Sequence, residues 1–512
     1  MKHSLLYTLV CFCLLSLTAC NHQYKVPSTT VAATEKLQIY PDYTDVVIPP
    51  NIAPMNFMVR NGGDEFVVMM KSGTHELVTG AGEDGTVLID STEWRSLLKD
   101  SKGKQIAVTV YAHTENGWVA YPSYSLSVAP EAIDAYLSYR LIEPGYELYR
   151  QLGLYQRNLT TFDQHAIYEN NRKYDSEENH CINCHNFKNY DANTMLFHVR
   201  GNMGGTLIAK DGKVTKMNMT TDSIISSAVY PSWNPRHNWV VFSSNKTGQT
   251  FHLLNKEKIE VIDHASDLIF YDADTRQISN VLKTHCDMET FPCWTPAGDR
   301  VFYCVAHMPS FAQLPDSVHD REVVDNYRQV RYNLMSIPFD ENTRTFGEPQ
   351  LEFDCNAVGK SASVPRVSPD GRYVLFTLGD YGQFHIWHKS SDLYVKDLQT
   401  GKVYPMTASN SKDVDSFHSW SSNGRWFVFS SRRDDGSFTR PYFAYFDKNG
   451  QSHKAFMLPQ EDPEHSLLLF KSYNVPELSR NAVPYTFDQF KSAVYTQEGT
   501  PVTYKEIRKG LK

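Results

Sequence analysis

The spacing of hydrophobic positions changes several times along this 512-residue chain. An apolar run over residues 5–17 follows the basic start Lys2-His3 and ends at Leu17-Thr18-Ala19-Cys20. At about a dozen residues it is too short to span a bilayer, and 1–20 reads as a secretory signal. Residues 21–36 are polar and patternless, as a tether would be. Over 37–130, short apolar runs at 66–70, 86–89, 106–111 and 118–121 alternate with Gly-, Asn- and Asp-bearing loops. That pattern predicts a small β-sandwich. Over 131–190, Ile133, Tyr136, Leu137 and Leu141, then Tyr146, Tyr149 and Leu152, recur at helical spacing. With the interruption at Pro144-Gly145, they predict a short helical connector.

Beyond residue 190 a unit repeats. Tyr230-Pro231-Ser232-Trp233, Phe291-Pro292-Cys293-Trp294, Val364-Pro365-Arg366-Val367 and Phe417-His418-Ser419-Trp420 are each followed by a turn and an apolar strand. The turns include Pro369-Asp370-Gly371 and Asn423-Gly424, which favour tight reversals. Cys293 and Arg366 stand where Ser232 stands, and His418 replaces the proline. A further pair of strands follows most copies, so the unit is a four-stranded propeller blade. The fold class expected is mainly β, with a propeller of five to six blades over 191–480 and a tail over 481–512. The repeat resembles those of TolB-like propellers, the PD40 or WD40-like class.

Charge narrows the partners. A net charge of −8 with no basic stripe argues against nucleic acid. An aromatic content of 13% suits strand-rich structure. No later segment is apolar for long enough to cross a membrane.

The chemistry concentrates in Cys181-Ile182-Asn183-Cys184-His185, the attachment spacing of a c-type haem. Two thiols add across the porphyrin vinyl groups, and the following histidine ligates the iron. Nine cysteines and 19 histidines in the chain would give on the order of 0.006 chance matches, so coincidence is a poor account. One covalent haem c is therefore expected, attached at Cys181 and Cys184, with His185 as proximal ligand. For the distal side, His198 is the first candidate, with Met195 and Met203 as alternatives. Strand alternation puts His198 and Arg200 on one face, and Arg200 is the candidate partner of a haem propionate. A zinc ion held by Cys181, Cys184, His185 and His198 is the rival reading. Cys286, Cys293, Cys304 and Cys355 allow three disulfide pairings, with a local bridge between Cys293 and Cys304 as one option and buried free thiols as the other. No nucleophile elbow, His-Glu-x-x-His or distinctive carboxylate pair is present, so no catalytic residue is assigned.

Leu17-Thr18-Ala19-Cys20 resembles a bacterial lipobox, which implies lipidation of Cys20. The chain as a whole resembles a group of Bacteroidota lipoproteins in which a β-sandwich and a Cys-x-x-Cys-His segment precede a TolB-like propeller. The residues after Cys20 lack an aspartate at the second position, which by resemblance to known sorting rules implies the outer membrane, facing the periplasm. The expected function is a lipid-anchored monohaem cytochrome-like protein. It would relay or sense single electrons, with the propeller binding an envelope protein. A haem-independent TolB-like scaffold is the alternative.

Overall fold

The computed structural model describes residues 24–143, 151–170, 179–252, 254–255, 257–496 and 498–507. The expectations for 1–20, Cys20 included, and for Pro144-Gly145, Tyr146 and Tyr149 lie outside these residues. No helix among the described residues is long and apolar enough to cross a membrane.

From Tyr136 onward the chain folds into six sheets of four or five strands, and the fold is a β-propeller. The inner strands of sheets II to VI are His180–Lys188, Ala228–Trp233, Asp287–Trp294, Ser361–Val367 and Asp415–Trp420. Each is followed in sequence by the next strands of its own sheet, so local hairpins dictate the pairing. Sheet I is different. Its outer strands are Tyr136–Ile142, Leu152–Asn158 and Gln164–Glu169, but its inner strand is Ser472–Ser479, from the far end of the ring. Residues from all six inner strands wall one axial cavity, so the sheets stand around a common channel.

Every inner strand carries a bulge, where two residues oppose one on the neighbouring strand. At each bulge one residue adopts a left-handed backbone. They are Val475 (φ 49°), Cys184 (41°), Tyr230 (49°), Phe291 (53°), Val364 (50°) and Phe417 (46°). Positive φ is an outlier for a β-branched or bulky residue, so six aligned cases mark a shared device rather than chance.

Several expectations are corrected. The 131–190 segment is not a helical connector; it supplies three strands of sheet I and the inner strand of sheet II. Leu137, Ser138 and Tyr139 are all fully buried because neighbouring sheets cover both faces. Burial on both faces erases the two-residue alternation and leaves spacings that mimic a helix. The propeller thus begins near 136, not 191. Within the expected tail, the described residues include helix Phe487–Val494 and the short strands Thr500–Pro501 and Thr503–Tyr504, which edge sheets II and III. In the expected tether, Val31–Ala32 pairs with Val119 and Ala120. Residues 31–128 form a seven-stranded and a three-stranded sheet, with helix Ser91–Ser101 capped by the Asp90 carboxylate. The core of this unit runs on into sheets I, V and VI. Of the two alternatives open for Cys286, Cys293, Cys304 and Cys355, the structure has free thiols at all four. In the register Cys304 faces Thr290 while Cys293 faces Phe302, so the bulge carries the two thiols out of step.

Leu478, fully buried on the closing strand of sheet I, ties the ring shut. Leu478→Ala should cost about 2–5 kcal/mol, read from urea unfolding, with one cooperative transition retained. Asp267, in sheet III, is buried, and its Oδ2 has no hydrogen-bond partner. Burial raises its pKa from 3.8 to about 7. The folded state therefore holds a proton that the unfolded chain releases, and this contribution to stability falls as pH rises from 4 to 7. Asp267→Asn should raise stability at pH 8 by about 1–3 kcal/mol and leave it unchanged near pH 4, measured by thermal unfolding across that range.

Candidate functional site

The Cys181–His185 segment lies in the inner strand of sheet II, at its bulge. At about 3.3 Å per residue, an extended Cys-x-x-Cys separates its ends by roughly 10 Å along the strand, against about 4.5 Å along a helix. Regular alternation would also send Cys181 and Cys184 to opposite faces. The bulge breaks that parity. Cys181, Cys184 and His185 all border one cavity of about 300 Å³. Its apolar wall includes Ile142, Phe291, Phe384 and Trp387; its polar wall includes Arg140, Arg200 and Arg366. Asn183 donates to the Cys181 sulfur at 2.8 Å and accepts from the Arg140 guanidinium. Burial pushes the Cys181 thiol up against the opposing pull of Arg140 and Arg200. Burial also lowers Arg140 below the usual guanidinium range.

A second axial cavity of about 370 Å³ lies beyond the bulges. His185, Pro231, Arg366, Phe417 and Val475 border both cavities and form the waist between them. His185 is buried, and neither ring nitrogen has a hydrogen-bond partner. The Glu477 carboxylate is 3.6 Å away, beyond hydrogen-bond reach. Burial, with Arg140 and Arg366 adding to it, pushes His185 down to about 3, while burial raises Glu477 to about 8. Both are uncharged near neutrality, so this close approach is no ion pair.

The other sheets supply the comparison. At the His185 position they carry Pro476, Pro231, Pro292, Pro365 and His418. His418 is accounted for, because its Nε2 donates to the Leu375 carbonyl at 2.9 Å. His185 has no such partner, and a buried unsatisfied polar group costs about 1–3 kcal/mol. An imidazole with two unmatched nitrogens thus stands where proline serves four other sheets. The donor set fits a covalently held porphyrin: two thiols, a free imidazole, apolar walls and guanidiniums for carboxylates. It does not fit a tetrahedral ion. Among the described residues, Cys181, Cys184 and His185 do not bring their ligand atoms within 4.8 Å of one another.

The distal candidates are not brought to this cavity. His198 faces the same way as Arg200, but it borders a separate cavity with Gly205, Asn245 and Thr247. Arg200 borders both cavities and remains available to a carboxylate. Met195 is fully buried in the core between sheet II and helix Phe487–Val494, and Met203 packs against that same core. On strand Asp191–Gly201 the odd-numbered Met195, Phe197 and Val199 face that core, while His198 faces the other way. Arg140, Asn183 and Glu477 belong to the site and are missed by the sequence reading, because their strands do not carry the repeat's tryptophan and turn signature. Only the oddity of Arg366 at a serine position was visible.

No protein-family model and no curated protein sequence matches this chain. Solved structures similar to it include an oligogalacturonate lyase in complex with manganese (11% identity, TM-score 0.36), covering 64% of this chain and 74% of that one. Another is a hypothetical selenium-binding protein from Sulfolobus tokodaii (8%, TM-score 0.39), covering 69% and 96%. A third is the β-propeller domain of the Trilobed protease from Pyrococcus furiosus (11%, TM-score 0.32), covering 70% and 95%. Likeness at this level carries no site residue across, and the fold rests on the six sheets themselves.

If the bulge and not the imidazole holds the strand, proline will serve at position 185 as it does in four other sheets. His185→Pro should fold with a native near-ultraviolet spectrum and lose no more than about 1 kcal/mol, measured by urea unfolding.

Proposed function

We propose that the axial channel holds one covalent haem c and that the protein relays or senses single electrons. The observation that carries this reading is the buried, unpartnered His185 imidazole, sharing one cavity with the Cys181 and Cys184 thiols. The two thiols would carry the porphyrin and His185 would ligate the iron. Such a haem supplies one-electron transfer. Arg140 and Arg200 would offer charge to its carboxylates, and Phe291, Phe384 and Trp387 would give it an apolar wall. Among the described residues that border the cavity, His185 is the one imidazole and no methionine joins it, so His185 is the side chain that would hold the iron. The six sheets are read as a six-bladed ring and residues 31–128 as a sandwich-like platform docked on it. That surface would meet an envelope protein, with Cys20 as a lipid anchor in the outer membrane.

A haem-independent binding propeller is the second reading. It is favoured by the equivalence of Cys184 with bulge residues that are aromatic or aliphatic in the five other sheets, and by His418 standing at the His185 position of sheet VI without any neighbouring thiol pair. One experiment separates the two. Protein made in a host with an active haem-attachment system is analysed by intact mass and visible spectroscopy. The first reading expects the added mass of one haem, lost in Cys181→Ser with Cys184→Ser. In His185→Pro the mass should persist while the spectrum changes with the loss of the proximal ligand. Wild-type protein with no added mass overturns the haem reading and leaves the binding propeller.

A further inference from the structure

We infer that His285, Asp316 and His319 form a site for a first-row divalent metal ion on the rim of sheet IV, independent of any haem. One ring nitrogen of each histidine and a carboxylate oxygen of Asp316 lie within 4.8 Å of one another. His285 precedes the inner strand Asp287–Trp294, and the other two residues sit in the excursion between strands Arg300–His307 and Asn333–Asp340. Asp316 opens the short turn Asp316–Val318, and His319 begins helix His319–Asp325. In such a turn, side chains three apart project to the same side, which is what a chelating pair needs.

Each of the two imidazoles is held by a backbone carbonyl. His285 Nε2 donates to the Phe311 carbonyl at 3.1 Å, and His319 Nε2 donates to the Leu314 carbonyl at 3.1 Å. A carbonyl can only accept, so both Nε2 atoms carry the proton and both Nδ1 atoms keep a lone pair. A backbone carbonyl behind the ligating ring is the usual outer support of a metal-bound histidine. His319 is further held flat against Phe311, with ring centroids 4.0 Å apart and planes within 4°. The two imidazoles lie 5.3 Å apart, close enough to share an ion and without a hydrogen bond between them.

The donors fix the ion's class. Two imidazoles and one carboxylate suit zinc and its neighbours, and ligand bonds of about 2.0–2.2 Å put donor atoms roughly 3.4 Å apart. Closing from 4.8 Å takes about 1 Å of side-chain movement, which is easy because His285 and Asp316 are exposed. Three protein ligands leave a coordination position for water, so the site is open in the manner of a binding or reactive centre. The ion would also fasten the excursion to the sheet beneath it.

The test uses the whole mature chain carrying Cys181→Ser and Cys184→Ser, so that those thiols take up no metal. Zn²⁺ is titrated calorimetrically after exhaustive dialysis against chelator, and Co²⁺ is added separately to read the ligand field. One Zn²⁺ per chain at micromolar affinity or tighter is expected, with a rise in melting temperature. His285→Ala, His319→Ala and the isosteric Asp316→Asn should each weaken binding at least about tenfold while the metal-free melting temperature stays put. Failure of the parent chain to bind Zn²⁺ below about 100 µM overturns the site, as does unchanged affinity in the three variants.

Discussion

Three successive junctions of the ring, from sheet I to sheet IV, are held at the axis by the same kind of hydrogen bond. In sheets I, II and III the side chain of the residue two places after the bulge residue accepts a backbone N–H of the next sheet's inner strand. Glu477 takes the N–H of Phe187 at 3.0 Å, Asn186 that of Trp233 at 3.1 Å, and Ser232 that of Trp294 at 3.0 Å. The bulge makes this possible by turning a side chain that would lie along its own sheet toward the next one. Left-handed backbone at the β-branched Val364 and Val475 is costly, yet the same backbone recurs at the bulge of all six inner strands.

The same geometry creates the candidate site. Six bulges point six residues inward, and in five sheets these are aromatic or aliphatic, closing the axis with apolar surface. In sheet II the position is Cys184, and a thiol enters an otherwise hydrophobic waist. The next residue would ordinarily be proline, which needs no partner there; His185 brings two ring nitrogens that the surrounding protein leaves unmatched. Arg140 and Arg366 then stand close to a neutral imidazole and a neutral carboxylic acid. The channel thus sets guanidinium groups beside apolar side chains.

Sheets III to VI were legible because each spells out its inner strand, its Pro- or Gly-bearing turn and its tryptophan or aromatic partner. Sheets I and II were not. Cys184-His185-Asn186-Phe187 and Val475-Pro476-Glu477-Leu478 share the repeat's backbone path but hardly its composition. Sheet I is split between distant parts of the chain, so no local window contains it. Helix Ser91–Ser101 carries an Asp90 cap and Trp94, Leu97 and Leu98 on one face, a pattern present in the text yet outweighed by the strands around it. The identity of the haem-motif residues was plain, but their conformation was not, since a helical Cys-x-x-Cys and a bulged one are written identically. The distal candidates failed for a related reason: closeness in sequence to His185 places His198 on the partner strand but behind a different wall.

The seam in sheet I has a consequence for assembly. Three of its strands are made early, yet the fourth is supplied only when residues 472–479 arrive, so the axis stays open on that side until nearly the whole polypeptide is available. Sheet II, with its pair of thiols, adjoins the gap. Anything too large to thread a finished channel has its opportunity during this interval, and the last strand then acts as a door that shuts behind it.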